Sequence, residues 1–258
     1  MLGYNSRMRS RVERRPPANA LQVFVAALLC LTVSLGALAR HHRAALPESA
    51  EPGQFDYYLL TLSWSPTYCL IHPEDGAECG GKGYGFILHG LWPQFDSGGH
   101  PQDCAAPGEQ RGGPPRSAML SSVEEAVGRT VFMSPKLMRH EWQRHGTCSG
   151  LAATTYFRTA DKALAGVHIP RRFSAPATAL TATSEQIAQE FHAVNPGIPE
   201  NGLTVACTRA ELSEVRVCLT RDLRFRSCGR RVRNSCPSVP IEVPAAPHQA
   251  GGSKSRDR

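Results

Sequence analysis

The sequence has no Cys-x-x-Cys pair, no glycine-rich phosphate loop and no Gly-x-Ser-x-Gly elbow. The first absence argues against a zinc ribbon or a thioredoxin-type redox site. The second leaves no backbone cradle for nucleotide phosphates. The third argues against a serine nucleophile of the α/β-hydrolase kind. No internal repeat is evident, and no Asn-x-Ser/Thr acceptor for N-glycosylation occurs. Charge is scarcer than it looks. The formal net charge is +7, but residues 1–39 hold five Arg and one Glu, so only +3 belongs to the rest. That is too weak to argue for a polyanionic partner from bulk charge. Any such case has to come from a site.

The start of the chain reads as an export leader. Arg7, Arg9, Arg11, Arg14 and Arg15 form a basic region, residues 21–38 are mostly apolar, and Ala37-Leu-Ala39 fits a small-x-small cleavage pattern. A cleaved signal peptide over 1–39 is the expectation; the length of the apolar run also suits a retained anchor. With the leader removed, no stable membrane association is expected. Cysteine usage agrees with export. Nine Cys less Cys30 in the leader leave eight, an even number that implies disulfides without fixing which pair with which. Residues 40–54 read as a mobile lead-in. Residues 244–258, Pro-rich and then Gly-Gly-Ser-Lys-Ser-Arg-Asp-Arg, read as a disordered tail.

Between these flanks the periodicities predict mixed structure. Residues 56–64 alternate, with Tyr58, Leu60, Leu62 and Trp64 on one face, which predicts a half-buried strand ended by Ser65-Pro66. Residues 74–83 read as a loop. Residues 84–88 predict a second strand that delivers His89 at its C-terminal end, followed by Gly90, where a turn or close approach is expected. Residues 95–116 read as a surface loop. Residues 117–127 predict a helix with Met119, Leu120, Val123 and Val127 on its apolar stripe. Helices are also expected over 155–165 and 183–194, the latter with Thr183 and Gln186 at capping-box spacing. Residues 203–207 and 211–219 predict antiparallel strands across a Cys-Thr-Arg-Ala turn. Strands and helices mix without strict alternation, so the fold class is α+β: a central antiparallel sheet with packed helices in one disulfide-bonded domain.

The stretch 133–150 organises the chemistry. Ser134 suits an N-cap, Pro135 the first helical position, and Gly146 a left-handed C-terminal stop. At about 100° per residue, His140, Arg144, Glu141 and His145 fall within about 140° of one another, while Trp142 points away toward a core. A solvated face with scattered charge is the bland alternative. Two His, one Glu and one Arg within six positions speak against it. A zinc site is the sharper rival, but His-Glu-x-x-His ligands stand four apart, and His140 and His145 stand five apart. Such divergent rings suit two groups flanking a substrate better than two ligands on one ion.

His140-Glu-Trp-Gln-Arg-His-Gly-Thr-Cys148 resembles the second active-site segment of the ribonuclease T2 family, and Phe86-Ile-Leu-His-Gly-Leu-Trp-Pro93 resembles the first. Leu62-Ser-Trp-Ser-Pro-Thr-Tyr-Cys69 is similar to that family's N-terminal strand and turn. The resemblance covers residues 55–243, read as the catalytic domain. It departs at Arg144, where the family usually has Lys. It implies a metal-independent endoribonuclease of low base specificity, acting on single-stranded RNA through a 2′,3′-cyclic phosphate to a 3′-phosphate. No cofactor or metal is expected, DNA should resist, and a secreted or periplasmic monomer is expected. His145 would be the base and His89 the acid, His140 would hold the phosphate, and Glu141 and Arg144 would stabilise developing charge. Trp92, a core aromatic on the bland reading, is a candidate to stack on a base. The family pattern also implies Cys104–Cys148, a nested Cys207–Cys236 and Cys218–Cys228, and Cys69–Cys79. The rival from another class is a secreted disulfide scaffold that binds without turnover.

Overall fold

The computed structural model describes residues 51–104 and 118–246, all within the unit Pro47–Arg258. The expected leader over 1–39 lies outside the described residues. In chain order the elements are β1 (Tyr57–Trp64), α1 (Ser65–Ile71), α2 (Gly76–Cys79), β2 (Phe86–Gln94) and α3 (Ser122–Gly128). There follow α4 (Pro135–Arg144), a 3₁₀ turn (Gly146–Ser149), α5 (Ala153–Ala165) and a second 3₁₀ turn (Arg171–Phe173). β3 (Leu180–Ala182), α6 (Ser184–Val194), β4 (Leu203–Thr208), β5 (Glu211–Leu219) and β6 (Ile241–Val243) complete them. The expected α+β class is what the chain adopts.

One sheet holds all six strands, in the order β2-β1-β5-β6-β3, with β4 on β5. All pairings are antiparallel except β5 with β6, which is parallel and joined at Glu211 and Glu242. β1 lies between β2 and β5 and is buried on both faces. Tyr58, Leu60, Leu62 and Trp64 join the main core with Met138 and Trp142 of α4 and Tyr156 and Phe157 of α5. Tyr57 and Leu59 join a smaller cluster on the other face, with Cys218, Trp92, Cys228 and Val232. The alternation read from residues 56–64 therefore holds, and its second face is covered too. β4 and β5 meet at a two-residue turn in which Arg209 and Ala210 both have positive φ, 56° and 73°, as such hairpins require.

Four disulfides staple the fold: Cys69–Cys79, Cys104–Cys148, Cys207–Cys236 and Cys218–Cys228, the pairing the family resemblance implies. Cys104–Cys148 ties the segment after β2 to the 3₁₀ turn that follows α4.

Several local expectations are corrected. Ser65-Pro66 ends β1 but starts α1, with Pro near the first helical position. The loop read over 74–83 contains α2, capped by the Asp75 carboxylate, which accepts from the Ala77 amide at 3.2 Å. Instead of spanning 117–127, α3 begins at Ser122 with a Ser121–Glu124 capping box. Met119 and Val123 of the expected apolar stripe are 72% and 67% exposed, so only Leu120 and Val127 reach the core. Gly146 does not take the left-handed conformation. It enters the 3₁₀ turn, and Gly150 (φ 73°) makes the stop instead. Gly146 is small for packing, because a β-carbon there would overlap the Trp142 and Tyr156 rings. Of the expected lead-in, residues 40–50 lie outside the described residues, and at its end the Gly53 amide donates to the Cys148 carbonyl at 2.9 Å. The tail is packed through Ala246, with the Trp64 indole donating to the Pro244 carbonyl at 3.0 Å; residues 247–258 lie outside the described residues.

Candidate active site

β2 runs on past its expected end, so His89 lies within the strand and not at its terminus. The register explains how it still leaves the ladder. Leu62 pairs with Leu88 and Thr61 with Gly90, so His89 is the extra residue of a β-bulge. A bulge re-aims a side chain that regular pleating would bury or pair. The His89 ring points toward α4 and β5, about a third exposed.

Its partners are two carboxylates. Nδ1 stands 2.8 Å from Glu214 Oε1, and Nε2 stands 3.5 Å from Glu141 Oε1. Glu214 comes from β5, beyond β1. It meets His89 past Ser63, whose small side chain leaves room. Arg216 Nε donates to the other Glu214 oxygen at 2.7 Å. Burial alone would lower the His89 pKa. The hydrogen bond to Glu214 and the charges of Glu141 and Glu214 outweigh it, and the pKa is raised. Glu214 itself is held below the usual carboxylate range: burial opposes this, but His89 and Arg216 prevail. Glu214 was not among the residues singled out from the sequence. Its one signal was a Glu and an Arg two apart on β5, which reads equally well as a solvated strand face.

α4 supplies the opposite wall. Ser134 caps it, accepting from the Leu137 amide at 3.1 Å, and Trp142 is buried as the helical angles require. Glu141 is fully buried, and burial pushes its carboxyl up to about 7. Its Oε2 accepts from the Trp92 indole at 2.6 Å, while Oε1 is buried without a hydrogen bond among the described residues. This carboxylate fits only because residue 90 is glycine: a β-carbon there would overlap Glu141 Oε2 and Trp92 Nε1.

Trp92 is the hinge of the constellation. His89 meets it edge-on at 5.1 Å and His145 stacks on it at 4.9 Å, so the two imidazole centres lie within about 10 Å. The indole is thus engaged on both sides, which differs from a free platform for a base. His145 is only 7% exposed, enclosed between Trp92 and His100, whose ring centre is 5.8 Å away. Burial first, then the neighbouring His100, His140, Arg144 and His89, push its pKa down to about 3. His140 is exposed at the mouth, its pKa lowered by partial burial and by Arg144 and His89. Arg144 turns to the rim, where it pairs with Asp103 at 2.8 Å, and the Asp103 amide returns to the Arg144 carbonyl at 2.9 Å. Among the described residues no group of three His, Cys, Asp or Glu is placed to hold a metal, and no helix is long and apolar enough to cross a membrane.

A cleft of about 730 Å³ opens beside His89. β1 and β5 form its floor at Ser63, Glu214 and Arg216. One wall is α4 with Lys136, Arg139 and His140, and the other is the stapled α1–α2 segment with Tyr68 and Glu78. The site therefore has an open side at His89 and His140 and a closed side at His145. The arrangement supplies one imidazole held toward its cationic form, one held neutral, and a protonatable carboxyl between them. That is the equipment for moving protons on and off a bound anion.

The profile of the ribonuclease T2 family matches residues 55–228, about two thirds of the chain. A ribonuclease of Aeromonas hydrophila is 38% identical over 131 residues, covering 50% of this chain and 55% of that protein. The match thus spans only about half of the Aeromonas protein. Ribonuclease DdI of Dictyostelium discoideum is 26% identical over 239 residues, covering 81% of this chain and 96% of its own. Among solved structures, an RNase-related protein from Calystegia sepium superposes with a TM-score of 0.58 at 22% identity, over 74% of this chain and 98% of that one. A ribonuclease MC1 mutant in complex with 5′-UMP superposes with a TM-score of 0.53 at 22% identity, over 73% and 97%.

Proposed function

The chain belongs to the ribonuclease T2 family, and from that premise we propose that it is an endoribonuclease. It cleaves single-stranded RNA by attack of the 2′-hydroxyl on the adjacent phosphorus, giving a 2′,3′-cyclic phosphate and then a 3′-phosphate. Substrate oxygen is the nucleophile, so no metal or cofactor takes part, and DNA, which lacks that hydroxyl, is spared.

One observation carries this reading: two imidazoles share one tryptophan, and their surroundings push their pKa values in opposite directions. Groups separated in this way divide into an acid and a base. His89, held toward its cationic form by Glu214, donates a proton to the departing 5′ oxygen. His145, held neutral, takes the proton of the 2′-hydroxyl. A bound phosphate beside it would raise its pKa and strengthen it as a base. The roles reverse in the hydrolysis of the cyclic ester. Glu141, buried beside His89 with a carboxyl near 7, is protonated over much of the acidic range, and in that neutral form it adds no repulsion to the charge building on the phosphoryl oxygens. His140, at the open mouth, grips the phosphate. Arg144 reaches that charge only by leaving Asp103, so its share is electrostatic and held at the rim. Trp92 fixes the distance between the imidazoles before it meets any base. Four disulfides and the leader-like composition of residues 1–39 support a secreted or periplasmic location, and a monomer suffices for the site.

The deciding experiment is digestion of RNA by purified protein, with DNA and a chelator as controls. His89→Ala and His145→Phe are each expected to lower turnover by about 10²–10⁴-fold with the circular dichroism spectrum unchanged. Near-normal turnover in either variant refutes the assignment. Cleavage of DNA, or inactivation by the chelator, refutes the mechanism.

A further inference from the structure

Resting on the reading of the chain as an RNA-cleaving enzyme, we propose that the loop 221–233 is a docking ridge for the phosphates of the RNA strand that continues past the cleavage point on the His145 side. The loop holds six Arg and one Asp in 13 residues, a net +5 in a chain whose whole balance is +7. The bulk charge hides this concentration, because the acidic residues lie elsewhere.

The ridge is built, not frayed. Cys218–Cys228 and Cys207–Cys236 hold its base. The Arg226 amide donates to the Cys218 carbonyl at 3.0 Å, the Cys228 amide to the Asn201 carbonyl at 2.9 Å, and the Gly229 amide to the Tyr57 hydroxyl at 3.2 Å. Three of its arginines serve the fold. Arg221 lies over the Phe55 ring at 4.4 Å, Arg224 pairs with Asp222 at 2.7 Å, and Arg226 pairs with Asp96 at 2.6 Å. The other three meet no carboxylate, although Arg233 Nε donates to the Arg230 carbonyl at 2.9 Å and the Arg231 side chain packs on Gly98. Arg230, Arg231 and Arg233 are exposed, and among the described residues none has an ion-pair partner. Crowding three guanidinium groups on a stapled loop costs repulsion that no carboxylate among the described residues offsets. A line of phosphates would offset it, through the forked donors that arginine offers to phosphate oxygens.

Position selects an RNA strand as that partner. The Arg231 side chain lies across Gly98, where any β-carbon would strike it. Two residues on is His100, whose ring flanks His145. Val232 packs in the cluster that contains Trp92. The ridge therefore adjoins the closed side of the site, while the cleft with His140 and Lys136 opens on the other. A strand lying in the cleft and crossing the two imidazoles leads onto the arginines.

The test combines Arg230→Gln, Arg231→Gln and Arg233→Gln in the full chain and uses two RNAs. A dinucleotide reaches only the site and should be cleaved as by the wild type. A 2′-O-methyl oligonucleotide of roughly 12 residues cannot be cleaved and is long enough to reach the ridge. Its affinity should fall by about tenfold or more. The slope of log affinity on log salt should become shallower by about 2, because each lost phosphate contact removes roughly 0.7. Unchanged affinity for the oligonucleotide, or an equal loss on the dinucleotide, overturns the proposal. If instead the variant loses only binding to vesicles containing phosphatidylglycerol, the ridge serves a membrane surface and the proposal is wrong. A wild-type protein that cleaves no RNA would sink the functional reading while the oligonucleotide arm still decides the ridge.

Discussion

Replacing Glu214 with Gln keeps the shape of the residue and removes the charge that holds His89 toward its protonated form. The wild-type contact is short, 2.8 Å, and largely withdrawn from water on the glutamate side. Hydrogen bonds to charged groups are worth about 1.5–3 kcal/mol, and one pKa unit corresponds to about 1.4 kcal/mol. The substitution should therefore lower the His89 pKa and cut the rate at the alkaline edge of the profile by about tenfold or more. Losing Glu214 also strips Arg216 of its partner, and that freed positive charge pushes the same way. The sign follows from the role. An acid works while it carries its proton, so the active range ends as pH rises through its pKa. Lowering that pKa moves the alkaline limb of the profile toward acid and leaves activity at low pH nearly intact. Rates on a dinucleotide, taken as kcat/KM from about pH 4 to about pH 8, read the limb directly. Glu214→Asp, shorter but charged, should restore part of the shift. A uniform fall in rate with the limb unmoved would refute the reasoning, since Glu214 would then only shape the cleft.

Other substitutions probe the surroundings. Gly90→Ala should lower the melting temperature and destroy activity together, because the new methyl group displaces the Glu141 carboxylate and the Trp92 indole; overpacking of this kind costs about 1–3 kcal/mol. Asp103→Asn should release Arg144 toward the phosphate and lower KM for RNA at low salt, with kcat changed less; no change in KM would confine Arg144 to the rim. Replacing Cys104 and Cys148 together by Ser opens a loop with a sequence separation of 44 and should cost about 4 kcal/mol in denaturant unfolding. It should also loosen the junction between α4 and the residues after β2.

What the sequence makes legible is what short spacing encodes. The alternation in β1, the Ser134 cap, the Thr183–Gln186 capping box and the inward Trp142 are decided by neighbours within a few residues, and each is found as expected. Met119 and Val123 show the limit of the same logic. Their periodicity is helical, but the helix starts later, so Met119 falls before it and Val123 faces solvent, while only Leu120 and Val127 of the stripe reach the core. Gly146 shows another limit. A glycine after a helix admits a left-handed stop or a close approach, and only the packing of Trp142 and Tyr156 selects the second.

The site's candidate residues are brought together, apart from the terminal group of Arg144, but their electrostatics come from partners that no local window contains. Glu214 stands 125 positions from His89 and reaches it only because β5 lies beside β1 with small Ser63 between. Asp103 stands 41 positions from Arg144 and is drawn in by the disulfide of its neighbour Cys104. The bulge that frees His89 depends on β1 pairing with β2 one residue out of step, which neither strand records alone. The motifs thus supply two histidines of the same intrinsic pKa. It is the sheet order, by setting one beside a buried glutamate and walling the other in with aromatic rings, that makes them unlike enough for the acid and base roles proposed for them.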